Sequence, residues 1–253
     1  MQRVEFEKRL KSLLTPHLFR DYAPNGLQVE GKDTISKVVT GVTASQALID
    51  RAIELEADAL VVHHGYFWKG EAPEIKGMKY RRISALIKND INLFGYHLPL
   101  DAHPTYGNNS GLAVALSLSD FSSLEQGKPL NESIGLVGEL AQPESGLAFK
   151  ARVEKAVGRD VLFEQTSNAA IKRVALCTGG AQGYITKAVE CDADVFITGE
   201  VSEKTIHEAR ELGIHFIAAG HHATERFGPM GLAEFISEEL GLDAEFVDID
   251  NPA

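Results

Sequence analysis

The chain is poor in cysteine, in basic residues and in long apolar runs. Two cysteines, Cys177 and Cys191, in 253 residues cannot build a disulfide framework, and they are not spaced as a CxxC pair. No apolar stretch approaches the ~20 residues of a membrane-spanning helix. The N-terminal MQRVEFEKRLKSLL alternates charge with apolar residues and lacks the apolar core of a secretory signal. The expectation is a cytoplasmic protein with no membrane partner. Lys and Arg number 25 against 36 Asp and Glu, a net charge of -11. That balance argues against an extended nucleic-acid surface. The one basic run, Lys69, Lys76, Lys79, Arg81 and Arg82, reads as a solvated helix start. Apolar residues make up 44%, enough for one large domain or two smaller ones with complete cores.

What the chain does have is histidine in the company of acids. His97 and Asp101 stand four apart after the apolar run INLFGY. His221 and Glu225 repeat that spacing after IHFIAAG, and His63-His64 ends the run ALVV. Clustered His with Asp or Glu is a ligand set for zinc, iron, manganese or nickel. Six candidates, His63, His64, His97, Asp101, His221 and Glu225, exceed the needs of one tetrahedral ion. Two divalent ions per subunit are therefore expected.

The repeat extends beyond the histidines. Sliding the chain on itself until Lys37 falls on Arg173 lays KVVTGVTASQALIDRAIELEADALVVHH over RVALCTGGAQGYITKAVECDADVFITGE without a gap. Val38 then meets Val174, Gln46 meets Gln182 and Asp58 meets Asp194. A second, shorter shift of 123 to 124 positions lays RRISALIKNDINLFGYHLPLD over TIHEARELGIHFIAAGHHATE, and its one residue of slack brings His97 onto His221 and Asp101 onto Glu225. Both copies read strand, helix, strand. The fold class expected is α/β: two related lobes with mainly parallel or mixed sheets, an internal pseudo-duplication, and the metal site between the lobes.

Local signals fill in the order. A first helix covers Val4 to Leu14, and the segment DYAPNGLQVEGKD is turn-rich. Strand KVVTGV leads to a helix capped by Ser45. The loop HHGYFWKGEAPEIKG is long and aromatic; Tyr66, Phe67 and Trp68 read as packing groups that could alternatively stack on a planar ring. Ala102 to Gly111 reads as a loop, LAVALSLS as a short helix, and FSSLEQGKPLNES as the connection between lobes 1–125 and 126–253. A long helix follows His221, and AEFVDID closes the chain as a strand.

In parallel sheets, ligands bind beyond the carboxyl ends of strands. His63, His97, Glu200 and His221 all stand at such ends. On a helical turn residues four apart share a face, so His221 and Glu225 converge if a helix starts there. Pro99 makes His97 to Asp101 a turn. Glu200 or His222 could carry protons beside the ions. His17, His103, His207 and His215 read as surface or supporting groups. The glycines of CTGGAQG resemble a phosphate turn but lack both the dinucleotide spacing and a P-loop lysine.

Asn-Gly-Leu-Gln-Val (25–29), Gly-Val-Thr (41–43), His63-His64-Gly, His97 with Asp101, Thr-Gly-Glu (198–200) and Gly-His-His-Ala-Thr-Glu (220–225) occur in this order. Together they resemble the NIF-three-like family, whose members are often labelled GTP cyclohydrolase I type 2 homologues. The resemblance covers essentially the whole chain and is closest to short bacterial members. It implies a two-lobed protomer, a dinuclear site facing a central cavity, and a toroidal homohexamer. The ligands it carries over are His63, His64, Asp101, His221 and Glu225, to which the internal repeat adds His97. Gly65 stands where many relatives have proline, and the mid-chain insertion of longer members is missing.

Three functions fit these features. The first is a metal-dependent hydrolase acting on a small nucleotide-like or heterocyclic substrate through activated water. The second is a non-catalytic metal-binding or regulatory protein. The third is a ring linked to DNA repair, which the acidic balance disfavours.

Overall fold

In the computed structural model, which describes residues Met1–Ala253, alternating strands and helices follow the apolar periodicity of the chain. The elements in order are α1 (Arg3–Leu14), β1 (Gly26–Val29), β2 (Lys37–Thr43), α2 (Gln46–Glu54), β3 (Ala59–His64), α3 (Gly77–Lys88), β4 (Asn92–Gly95), α4 (Leu98–Ala102), α5 (Asn108–Ala115), β5 (Ser119–Ser123), β6 (Leu136–Glu144), α6 (Gly146–Val157), β7 (Leu162–Glu164), β8 (Ile171–Cys177), α7 (Ile185–Glu190), β9 (Val195–Thr198), α8 (Glu203–Leu212), β10 (His215–Ala218), α9 (His221–Thr224), α10 (Phe227–Glu238) and β11 (Asp243–Phe246). They form two compact units. The first takes Met1–Leu100 and Gly228–Asp250; the second takes Asp101–Phe227 and Asn251–Ala253. The division thus falls at Leu100 and the chain returns to the first unit, whereas the sequence pointed to a single cut near residue 125.

In the first unit the sheet order is β1-β4-β3-β2-β11. β11, β2, β3 and β4 are parallel and β1 is antiparallel. Successive strand residues face opposite sides, and both sides are covered. Val39, Leu60, Val62 and Leu93 pack with Leu48, Ile49 and Ala52 of α2 and Ile83 and Leu86 of α3. Val38, Val61 and Phe94 pack with Phe6, Leu10 and Leu14 of α1 and Leu232 and Ile236 of α10. Near-continuous apolar runs are what a parallel sheet buried on two faces requires.

The second unit repeats the plan. Its order is β5-β6-β8-β9-β10-β7, with β8, β9 and β10 parallel and the other three strands antiparallel. Val174, Leu176, Val195 and Ile197 pack with Phe149 and Val153 of α6, and Ala175, Phe196 and Phe216 pack with Ile185 and Ala188 of α7.

The duplication reaches individual hydrogen bonds. Asp58 accepts from the N–H groups of Ser36 and Lys37 at 2.9 and 3.1 Å. Asp194 accepts from Lys172 and Arg173 at 2.8 and 2.7 Å, the positions that the self-alignment pairs with them. The N–H of Asn92 donates to the Asp58 carbonyl at 3.0 Å, and that of His215 donates to the Asp194 carbonyl at 3.0 Å.

Several local readings change. Leu98–Ala102 is helical with Pro99 in its first turn, where the N–H that proline lacks would have no partner in any case. α5 begins at Asn108 because Ser110 Oγ accepts the Gly107 N–H at 3.1 Å, closing the helix start. Ser119–Ser123 is a strand; it lacks apolar alternation and is held by pairing with β6. The turn-rich N-terminal segment contains β1, paired to β4. The helix after His221 is interrupted at Glu225 and resumes at Phe227. Ser45 caps α2 as expected, accepting the Leu48 N–H at 3.3 Å.

Candidate metal centre

In the first unit, β3 and β4 lie side by side and in parallel, so their ends arrive together. β3 finishes in His63-His64 and β4 delivers His97. One nitrogen from each of these three rings lies within 4.8 Å of the others, and the three could hold a metal ion. His63 is buried, and its ring centroid stands 4.5 Å from that of His64 and 5.1 Å from that of His97. Strand alternation would send the two adjacent histidines to opposite faces; at this strand end they converge. Trp68 closes one flank, 4.8 Å from the His97 ring and 5.8 Å from that of His64. Tyr66 is a packing group, its hydroxyl donating to the Ala44 carbonyl at 2.7 Å.

The partners of these rings set their chemistry. His63 Nδ1 lies 3.1 Å from the Tyr96 carbonyl and His97 Nδ1 lies 2.7 Å from Asp21 Oδ1. Both partners only accept, so each Nδ1 carries the proton and Nε2 keeps the lone pair in the neutral ring. His64 Nδ1 lies 3.2 Å from Thr43 Oγ1. Asp21 is held at about 2: burial alone would raise it, but the hydrogen bond and charge of His97 outweigh that cost, helped by Asn25 and the Leu98 N–H.

The second unit carries the acids. His221 and Glu225 converge across the single turn of α9, with Nε2 to Oε2 at 3.2 Å. His221 Nδ1 lies 2.7 Å from Glu200 Oε1. The hydrogen bond to Glu225, reinforced by Glu200, pushes His221 up to about 9 against the opposing effect of burial. A ring flanked by two carboxylates is a place that favours positive charge. Glu225 and Asp101 are both buried and have carboxylate oxygens within 4.8 Å of each other. Asp101 Oδ1 accepts from Asn108 Nδ2 at 2.8 Å and Thr178 Oγ1 at 3.3 Å. Asn109 ties the main chain of Asp101 to that of Thr178.

Gly179 makes room for this cluster. Its φ is +70°, and a Cβ there would stand 2.1 Å from Glu225 Oε1 and 3.2 Å from His221 Nε2. The glycine-rich turn that resembled a phosphate loop is instead the floor under an acid. Gln182 Nε2 donates to Glu200 at 3.3 Å, and the His222 N–H donates to the Ala253 carbonyl at 3.1 Å. Cys177 is core; burial and the nearby acids Asp101, Glu125 and Glu225 push its thiol up. His17 and His207 are exposed. His215 is buried, and its Nδ1 accepts the Thr166 N–H at 3.2 Å.

Sequence reasoning missed Asp21, Asn108, Asn109 and Gly179. Asp21 is separated from His97 by 76 positions, a distance at which spacing carries no signal. The Asn-Gly motif at residues 25 and 26 was the visible trace of it.

A duplicated α/β protein with histidines and acids at its strand ends is the class these features define. The chain belongs to the Duf34/NIF3 (NGG1p interacting factor 3) family, whose model matches residues 1–252. It is 54% identical over 254 aligned residues to the Haemophilus influenzae protein named GTP cyclohydrolase 1 type 2 homolog, and 52% identical to the Escherichia coli K12 protein of the same name, with all of each chain covered. Among solved structures it is similar to the protein ybgI, described as of unknown function, at TM-score 0.95 and 52% identity with both chains fully covered. It is also similar to TTHA1606 from Thermus thermophilus, at TM-score 0.90 and 37% identity with both chains fully covered. No helix is long and apolar enough to cross a membrane.

Proposed function

We propose that this chain is a metal-dependent hydrolase that binds two divalent ions through His63, His64, His97, Asp101, His221 and Glu225. The observation that carries the reading is the commitment of Nδ1 in all four histidines. The Tyr96 carbonyl, Asp21 and Glu200 face Nδ1 of His63, His97 and His221, and Thr43 Oγ1 lies beside Nδ1 of His64, which supports Nε2 as the atom these rings would offer a metal. An arrangement that fixes four imidazoles in one sense is characteristic of metal sites. Buried Asp101 and Glu225 add the hard oxygen ligands and charge that two adjacent cations require.

When bound, paired ions activate water and clamp the oxygen of the group it attacks. Glu200, half exposed beside His221, and His222 are the groups proposed to take up and return protons. The names of the curated relatives favour a small nucleotide-like or heterocyclic substrate. A homohexamer in the cytoplasm completes the proposal, and sedimentation velocity tests the assembly.

The deciding experiment is metal analysis of protein purified without chelators, together with His64→Ala and Glu225→Ala. About two ions per chain, lost in both variants, support the reading and identify the metal for a hydrolysis screen. No bound metal after soaking with iron, manganese and zinc would end it. Metal that binds and exchanges readily, with no turnover in the screen, would favour a metal carrier.

A further inference from the structure

The segment Asp21–Gln28 is not part of the proposed ligand set, yet it holds the histidine triad of the first unit from below. The Asp21 side chain is only 4% exposed. Its Oδ1 accepts from His97 Nδ1 at 2.7 Å and from the Tyr22 N–H at 2.6 Å. Its Oδ2 accepts from the Leu98 N–H at 3.0 Å and from Asn25 Nδ2 at 2.9 Å. Asn25 Oδ1 in turn accepts the His97 N–H at 2.8 Å. Ring and main chain of one residue are thus gripped by the same pair of side chains. Gln28 performs a similar task at the end of β3: its Oε1 accepts the Tyr66 N–H at 2.8 Å and its Nε2 donates to the Pro24 carbonyl at 2.9 Å. A Cβ at Gly65 or Gly95 would meet the Gln28 amide at 2.1 or 2.6 Å, so both glycines are needed for it to sit there.

We propose that Asp21 is a positioning residue: it locks His97 with the proton on Nδ1, presents Nε2 to the same point as His63 and His64, and strengthens that nitrogen as a ligand for a divalent cation. The inference rests on the metal-binding reading above. The physical reason is that a carboxylate on the far nitrogen of an imidazole fixes its tautomer and ring angle and raises its donor strength, typically about 10–100-fold in metal affinity. A neutral hydroxyl such as that of Thr43, 3.2 Å from His64 Nδ1, fixes orientation without supplying charge. In the second unit the corresponding carboxylate, Glu200, is 47% exposed, so water screens it. Asp21 is the dry member of the pair and its effect per charge is the larger.

The sole tryptophan of the chain makes a direct test. Trp68 lies 4.8 Å from the His97 ring, so cobalt(II) bound at the triad quenches its fluorescence. Full-length protein stripped with chelator is titrated with cobalt(II) as wild type, Asp21→Asn, His97→Ala and the double variant. Asp21→Asn is expected to weaken binding about 10–100-fold, and to cause no further loss once His97 is gone. A purely structural Asp21 would lower the thermal stability of the stripped protein and leave the cobalt midpoint in place. That result, or an equal loss in both backgrounds, overturns the proposal. Long-range nitrogen–proton NMR of stripped wild type at alkaline pH reads the His97 tautomer without any variant. A proton on Nδ1 is expected; one on Nε2 overturns the proposal even if Asp21→Asn fails to fold. Wild type that binds no cobalt removes the metal reading itself, whereas wild type that binds with Asp21→Asn unchanged removes only the role of Asp21.

Discussion

Tyr96 sits between two demands. Its carbonyl accepts His63 Nδ1–H, while its ring, fully buried, fills the core with Phe94 and Leu100. Its hydroxyl is buried without a hydrogen-bond partner, and burial pushes that hydroxyl far above the usual tyrosine range. An unsatisfied buried hydroxyl costs about 1–3 kcal/mol. Tyr96→Phe is therefore expected to raise stability by about 1 kcal/mol in urea unfolding while leaving metal content unchanged; a variant less stable than wild type would show that the hydroxyl contributes. Gly179 is the opposite case. Its left-handed φ costs a residue with Cβ about 1–2 kcal/mol, and the added methyl would displace Glu225. Gly179→Ala should remain folded, unfold slightly earlier, and lose most of its bound metal by elemental analysis. Retention of wild-type metal in that variant would remove Glu225 from the ligand set.

Asp58 and Asp194 show how an element is anchored. Each accepts two N–H groups at the start of a strand, and Asp58 also pairs with Lys32 at 2.6 Å. Burial alone would raise the Asp58 carboxyl, but Lys32 and the Ser36 and Lys37 N–H groups outweigh it and hold the carboxyl below its ordinary value. The charged form is favoured by folding, so this stabilisation is present above the ordinary carboxylate pKa and lost as pH falls through the lowered folded value. Asp58→Asn should cost about 1–3 kcal/mol near neutrality, and the gap to wild type should close in acid. A gap independent of pH would contradict the anchor. The self-alignment paired these two aspartates, and it was readable because the same bonds constrain both copies. β3, β4, β9 and β10 were readable for a related reason: parallel strands buried on two faces must be apolar throughout. β5 was not, because Ser119–Ser123 owes its conformation to β6 and carries no pattern of its own. At the candidate site the clustered histidines and acids stood out by residue type and spacing. Asp21 did not, because it meets His97 across 76 positions of chain and only the neighbouring Asn25-Gly26 turn marked its place.

At the scale of the molecule, the first unit is assembled from two stretches of chain and the second mainly from one. Leu232 and Ile236 of α10 are fully buried against Phe6, Leu10 and Phe94, and β11 pairs with β2. Each large apolar side chain in such a core contributes about 1.5–3 kcal/mol. A chain ending at Phe227 should therefore leave the first unit unfolded. Limited proteolysis should then find protected fragments only within residues 101–227. Protection of residues 1–100 in that truncated chain would contradict the shared core.

This threading also dictates an order of events during synthesis. Domains generally fold as their residues leave the ribosome. The first hundred residues, although made first, wait with α1 uncovered until α10 and β11 have emerged, while the central segment already has nearly all of its own sequence. The half of the protein that is translated earlier is thus the half that matures later, and in the interval its histidine triad belongs to an unfinished domain. A chaperone that guards nascent chains would find its longest-lived client surface on the face of β2, β3 and β4 that α10 later covers.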